Sequence, residues 1–196
     1  MLKVQQETDC LIVKTGGFWL RFERVVDRWR HVIECVEGGF WSWTSMEGAA
    51  EDACPSSPAY QDLWFEDRGE ACCEIQLMGQ AGGAIYSAAV AVDEIERRVN
   101  FDVCARRKRP GIPVAAQSRY RVQSAGDEEF GVRWLQSWDL VFETSFPGER
   151  SQSMSEPIRR VSGGFEVGYP PQHCNVIAPE ISQWRWQYSL KSAKQA

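Results

Sequence analysis

Ala84-Ile85-Tyr86-Ser87-Ala88-Ala89-Val90-Ala91-Val92 alternates with a period of two, and Val99-Asn100-Phe101-Asp102-Val103-Cys104-Ala105 repeats the pattern after Asp93 to Arg98. Successive side chains on a strand point to opposite faces. Ala84, Tyr86, Ala88, Val90 and Val92 therefore share one face, and Val99, Phe101, Val103 and Ala105 form the matching face of a return strand. The pair reads as a hairpin, with room for a single helical turn in its connection. Just upstream, Gly79-Gln80-Ala81-Gly82-Gly83 has the glycine density of a phosphate-binding loop. Such a loop hands phosphate to the N-terminus of a following helix and carries a Lys with a Ser or Thr. Here Ala84-Ile85 and a strand follow, so the glycines read as a hairpin turn after a buried strand over Ala71 to Met78.

The same pattern extends to both ends of the chain. Cys10 to Lys14 is a short apolar run, Thr15-Gly16-Gly17 a turn, and Phe18, Leu20 and Phe22 alternate with Trp19, Arg21 and Glu23. After Asp27-Arg28 the alternation resumes, with Trp29, His31, Ile33 and Cys35 on one face and Arg30, Val32, Glu34 and Val36 on the other. Both faces are partly apolar, which predicts cover on both sides. Residues 45–58 read as a long loop, with a short helix over Met46 to Ala53 that Ser45 is placed to cap. Tyr60 to Phe65, Arg119 to Gln123, Ile158 to Val161, Phe165 to Tyr169 and Trp184 to Leu190 supply further strand-like runs. Pro110 and Pro113 interrupt the chain because neither donates to a sheet ladder. Trp134 to Thr144 fits either a helical or a strand face, and its Trp, Val, Phe and Thr content favours strand. Gly-Gly-Phe recurs at Gly16, Gly38 and Gly163, as glycine turns leading into aromatic strands would produce without any duplication.

The expectation is a mainly β protein of one domain over residues 1–196. It is an antiparallel barrel or sandwich of roughly eight to ten strands with at most one or two short helices and a frayed tail at 191–196. At 196 residues the chain is long enough to bury a sizeable core without staples. A net charge of −5 makes nucleic acid an unlikely partner. The opening residues are too polar for an export signal, and no window approaches a membrane span. Seven cysteines without a C-x-x-C pair point to reduced thiols rather than zinc or redox chemistry. A cytoplasmic protein with no cofactor and no metal is expected.

Candidate sites are few. Of the two histidines, His31 shares its strand face with Trp29 and Ile33, where a satisfied core residue is commoner than a catalyst. His173 and Cys174 are neighbours that an extended chain points apart. Asp102 and Asp139 lie within apolar elements, with the outward face of a strand as their plain role. Arg106, Arg107, Lys108 and Arg109 form a basic patch. Nine tryptophans are the distinctive feature, because a buried indole N–H needs a partner and a large aromatic inventory means a thick core or a lined cavity. Trp41, Trp43, Trp134, Trp138, Trp184 and Trp186 are the candidate wall of a ligand site, with the loop from Trp41 to Pro58 as its lid.

Gly17-Phe18-Trp19, and Arg185 between Trp184 and Trp186, resemble the Gly-x-Trp and late-arginine pattern of lipocalins. The resemblance covers these two short sites, and Gly39-Phe40-Trp41 matches the first of them equally. It implies a calyx-like barrel with an aromatic interior. The expected function is a non-catalytic binder of a small apolar or aromatic ligand, with a homo-oligomeric or protein-interaction module, or an enzyme whose site carries no familiar motif, as alternatives.

Overall fold

The structure, a computed structural model, describes residues 1–35, 41–47, 57–109, 117–124, 138–145, 152–153, 158–161, 164–168 and 181–190. In chain order its strands are β1 (Lys3–Glu7), β2 (Cys10–Lys14), β3 (Phe18–Val25), β4 (Arg28–Cys35), β5 (Trp41–Ser45), β6 (Asp62–Asp67), β7 (Cys72–Ala81) and β8 (Ala84–Asp93). They continue with β9 (Arg98–Arg107), β10 (Gln117–Ser124), β11 (Trp138–Ser145), β12 (Gln152–Ser153), β13 (Ile158–Val161), β14 (Gly164–Gly168) and β15 (Ile181–Leu190). The described residues contain no helix. The fifteen strands among the described residues exceed the expected number. Several are short, and β1 lacks any apolar alternation, since in Lys-Val-Gln-Gln-Glu only Val4 is apolar and partly buried.

Two antiparallel sheets result. The first has the order β1-β2-β3-β4-β5-β10-β14-β13 and the second β12-β11-β15-β9-β8-β7-β6. Each begins as a meander of consecutive hairpins, and later strands return to extend it. Among the described residues neither sheet closes on itself, so the closed barrel is not formed there.

The hairpin predicted from Ala84 to Ala105 is the centre of the second sheet. Tyr86 pairs with Ala105, Ala88 with Val103, Val90 with Phe101 and Val92 with Val99, all buried. Its connection is a turn rather than a helix, closed by Arg97 N–H donating to Glu94 O at 3.2 Å, with Arg97 at φ +50°. The glycine-rich segment also folds as read, since β7 and β8 meet at Gly82-Gly83 and Gly82 takes φ +55°. Gly79 lies inside β7 for another reason. A Cβ there would stand 2.7 Å from the Tyr60 Cα, because residues 59–61 cross directly over it.

One cluster of buried side chains joins the sheets, including Phe18, Leu20, Phe22, Ile33 and Trp43 from the first and Ile75, Tyr86, Val90, Phe101 and Val103 from the second. Residues 57–60, at and beyond the end of the predicted loop, are buried and tie the layers together. The Arg119 N–H donates to Ser57 Oγ at 2.7 Å and the Trp29 N–H to Tyr60 O at 2.7 Å, while Gln61 N–H reaches Met78 O at 2.8 Å in the second sheet. The predicted helix at 46–53 falls largely outside the described residues, as do the tail at 191–196 and the start of 134–144. From Trp138 onward that last segment is strand.

Candidate functional site

The first sheet carries its charges on the outer face because of the period-two alternation seen in β3 and β4. Phe18, Leu20 and Phe22 point into the core, which leaves Trp19, Arg21 and Glu23 outside. Trp29, His31 and Ile33 point in, which leaves Arg28, Arg30, Val32 and Glu34 outside. Register then sets these residues in rows. Arg21 pairs with Val32, Val32 with Thr44, and Thr44 with Arg121, across four neighbouring strands. Glu23 pairs with Arg30 in the next row and Glu34 with Ser42 on the other side.

A cleft of about 490 Å³ lies over these rows. Its lining includes Arg21, Arg28, Arg30 and Arg121 against Glu23 and Glu47. Its floor includes Val32, which is only 3% exposed although it faces outward, so β4 is covered on both sides at this position, as its sequence predicts.

Three of the arginines are held in place. Arg21 donates through Nη2 to Glu34 Oε1 at 2.7 Å and through Nη1 to Glu23. Arg30 donates through Nε and Nη2 to Glu23 Oε2 at 2.9 and 2.7 Å. Arg28 makes the same paired contact with Asp27 Oδ1 at 2.9 and 2.7 Å. Burial alone would lower the Arg21 pKa, but the charges of Glu34 and Glu23 outweigh it and raise the value. The Arg28 hydrogen bond holds the Asp27 carboxyl below its ordinary range. Arg121 is exposed and, among the described residues, has no carboxylate within ion-pair reach.

Beneath the inner end of the cleft lies a buried polar chain. After β5 ends at Ser45 the chain turns inward, fixed by Met46 N–H donating to Arg119 O at 2.8 Å. Glu47 is thereby carried to within 3.5 Å of His31 Nδ1, each side chain only 3% exposed. Ser45 Oγ donates to Glu47 Oε1 and accepts from the His31 N–H at 2.8 Å. On its other side His31 Nε2 meets the Tyr120 hydroxyl at 2.8 Å. We assign the ring proton to Nδ1, facing the carboxylate, which leaves Nε2 to accept from Tyr120. The imidazole is enclosed by Phe101 at 4.8 Å and Phe22 at 5.9 Å between ring centroids. His31 is thus a satisfied residue between the sheets. Burial, and after it the Glu47 charge, drives the nearby Tyr60 hydroxyl well above its usual pKa, so it stays protonated.

The residues singled out from sequence are scattered. Trp43 is fully buried and meets Tyr120 edge to face at 6.4 Å. Trp41 lies on β5, Trp138 on β11, and Trp184 and Trp186 on β15. Trp134, His173 and Cys174 lie outside the described residues. Strand alternation divides the basic run, since Arg107 is 5% exposed on the inner face while Arg106, Lys108 and Arg109 are exposed. Lys108 Nζ donates to Gln80 Oε1 at 2.7 Å. Asp102 sits opposite Ala89 on the outer side of β9, and Asp139 is a backbone position on β11. Cys10, Cys72, Cys73 and Cys104 are thiols, and burial pushes Cys73 up to about 12. Among the described residues no three His, Cys, Asp or Glu side chains gather as metal ligands do, and no helix is long and apolar enough to cross a membrane.

The arginine row and Glu47 escaped sequence reading. Arg21, Glu23, Arg28 and Arg30 had a visible signal, the charged half of each alternation. Arg121 and Glu47 had none, because their neighbours come from distant strands. No family model matches the chain, no curated protein matches it, and no solved structure matches it.

Proposed function

We propose that the protein is a non-catalytic binder of a small molecule, held in the cleft over β3, β4, β5 and β10. The observation that carries this reading is the cleft itself: about 490 Å³, within the range of small-molecule sites, with arginine, glutamate and hydroxyl groups converging on it. The two sheets, joined by one core, serve as a sandwich-like scaffold of a single domain rather than a barrel. Protonated, buried thiols such as Cys73 suit the reducing conditions of a cytoplasmic protein.

A panel of anionic, cationic, uncharged polar and aromatic small molecules, read by thermal shift, tests this. A ligand bound by the folded state at a hundred times its Kd adds about 2.7 kcal/mol of stability. Thr44→Trp, which fills the cleft from its floor, is expected to remove that shift. A panel with no stabilising member contradicts the reading.

A second reading keeps the apolar or aromatic ligand. It is favoured by register, which pairs Trp186 with both Phe142 and Phe101, and Trp184 with Val103. In that case the ligand shift survives Thr44→Trp and is lost in Trp186→Ala. Self-association is a third reading, favoured by the exposed Trp64, Met78 and Ile85 on the outer side of the second sheet, and light scattering over a concentration series decides it.

A further inference from the structure

We infer that the cleft is built for a small organic oxyanion, a carboxylate or phosphate, with Arg121 as its principal anchor. The inference rests on the binding reading above and adds the ligand's chemistry. A guanidinium presents its N–H donors in a planar fork that matches a carboxylate or phosphate edge. Arg21, Arg28 and Arg30 are already oriented by Glu23, Glu34 and Asp27, so little side-chain freedom remains to be lost when a ligand arrives. Arg121 completes the set from the far side. It stands in one row with Arg21, three strand spacings or roughly 14 Å away. Between them the row holds Val32 and Thr44, a low floor with a hydroxyl that donates or accepts.

Charge supports the same conclusion. The chain as a whole carries −5, yet four arginines and two glutamates line this cleft. With Asp27 and Glu34 counted beside Glu23 and Glu47 the charges here balance, so the attraction for an anion is local to Arg121, the lining arginine that lacks a carboxylate partner among the described residues. The surrounding negative field opposes extended polyanions, which separates this site from a nucleic-acid surface. Glu23, a partly exposed carboxylate of the lining, makes an uncharged or cationic end of the ligand acceptable beside it, while Glu47 is buried against His31, so a molecule with one anionic end and a hydroxylated body fits better than a bare polyanion.

The test is isothermal titration of the full chain with inorganic phosphate, gluconate and glucose at low salt, repeated at 0.15 M salt. Gluconate and glucose separate the charge from the body, and phosphate separates the two oxyanion sources. Saturable binding of phosphate or gluconate but not glucose is expected, weakened by salt. Arg121→Gln should bind roughly tenfold more weakly, the loss of one charge-assisted contact, with unchanged melting temperature. Lys3→Gln, exposed and away from the cleft, should bind as the parent does. Anion binding that is equal in Arg121→Gln overturns the inference, as does the absence of any anion binding. If the ligand panel yields only uncharged ligands that Thr44→Trp excludes, the oxyanion inference falls while the binding function stands. If the panel yields nothing, both fall.

Discussion

Tyr120→Phe removes one oxygen from the centre of the molecule, and its cost follows from the geometry around His31. The Tyr120 hydroxyl is 2.8 Å from His31 Nε2, and the two residues are 0% and 2% exposed. Water does not reach the abandoned nitrogen, so its desolvation is uncompensated, at about 1–3 kcal/mol. For a chain of this length each kcal/mol lowers the melting temperature by about 2–4 °C, so a loss near 2 kcal/mol corresponds to about 4–8 °C. His31→Phe should cost more, because it takes from the Tyr120 hydroxyl its partner at 2.8 Å and also deprives Glu47 of its neighbour at 3.5 Å. In the double variant both ends of the Tyr–His bond are apolar, and the loss should fall short of the sum of the singles by about 0.5–3 kcal/mol. Thermal unfolding followed by circular dichroism measures all three. A Tyr120→Phe protein that melts within about 1 °C of the parent, or strictly additive losses, refutes a functioning buried hydrogen bond.

Two glycines are held by close approach. Gly164→Ala would place a Cβ against the Tyr120 carbonyl, 2.9 Å from its carbon, and should break the pairing of β10 with β14. Gly79→Ala meets the backbone of residues 59–60 and should destabilise by more than about 1 kcal/mol, whereas Gly69→Ala has open space and costs only its φ of +116°; urea unfolding ranks the three. Stability should also fall in alkali. Cys73 ionises near its ordinary value of 9 when unfolded but only at about 12 when folded, and Tyr60 is likewise raised above 10. Between those values the unfolded state has lost protons that the folded state keeps, so stability declines as pH rises above 9. Unfolding midpoints from pH 8 to 11 check this, and Cys73→Ala should flatten the lower part of that decline.

Much of this architecture is written in local alternation. The Ala84 to Ala105 hairpin needed only its period and its turn, and β2, β3, β4 and β15 were legible in the same way. Gly16-Gly17 and Gly164 do open aromatic strands as the Gly-Gly-Phe recurrence indicated. What was missed has physical causes. Lys3–Glu7 is a strand because it pairs with β2, not because its residues favour burial. The predicted helical turn before Arg98 gave way to a tight hairpin connection. The arginine patch at 106–109 was read as a run, but a strand turns every second member inward, and Arg107 went there. The cleft depends on which strands are neighbours: nothing near Arg121 in the chain foretells Thr44, Val32 and Arg21 beside it. The tryptophan count drew attention to the interior, where Trp43 does sit, while the described cleft is on the opposite side of the same strands.

The central claim is that a small ligand sits on the outer face of the first sheet, and a titration of the ¹⁵N-labelled chain with the best anion from the panel tests it most directly. Shifts concentrated at the amides of Arg21, Val32, Thr44 and Arg121 are predicted. Shifts confined to β11 and β15, or none at saturating ligand, contradict it.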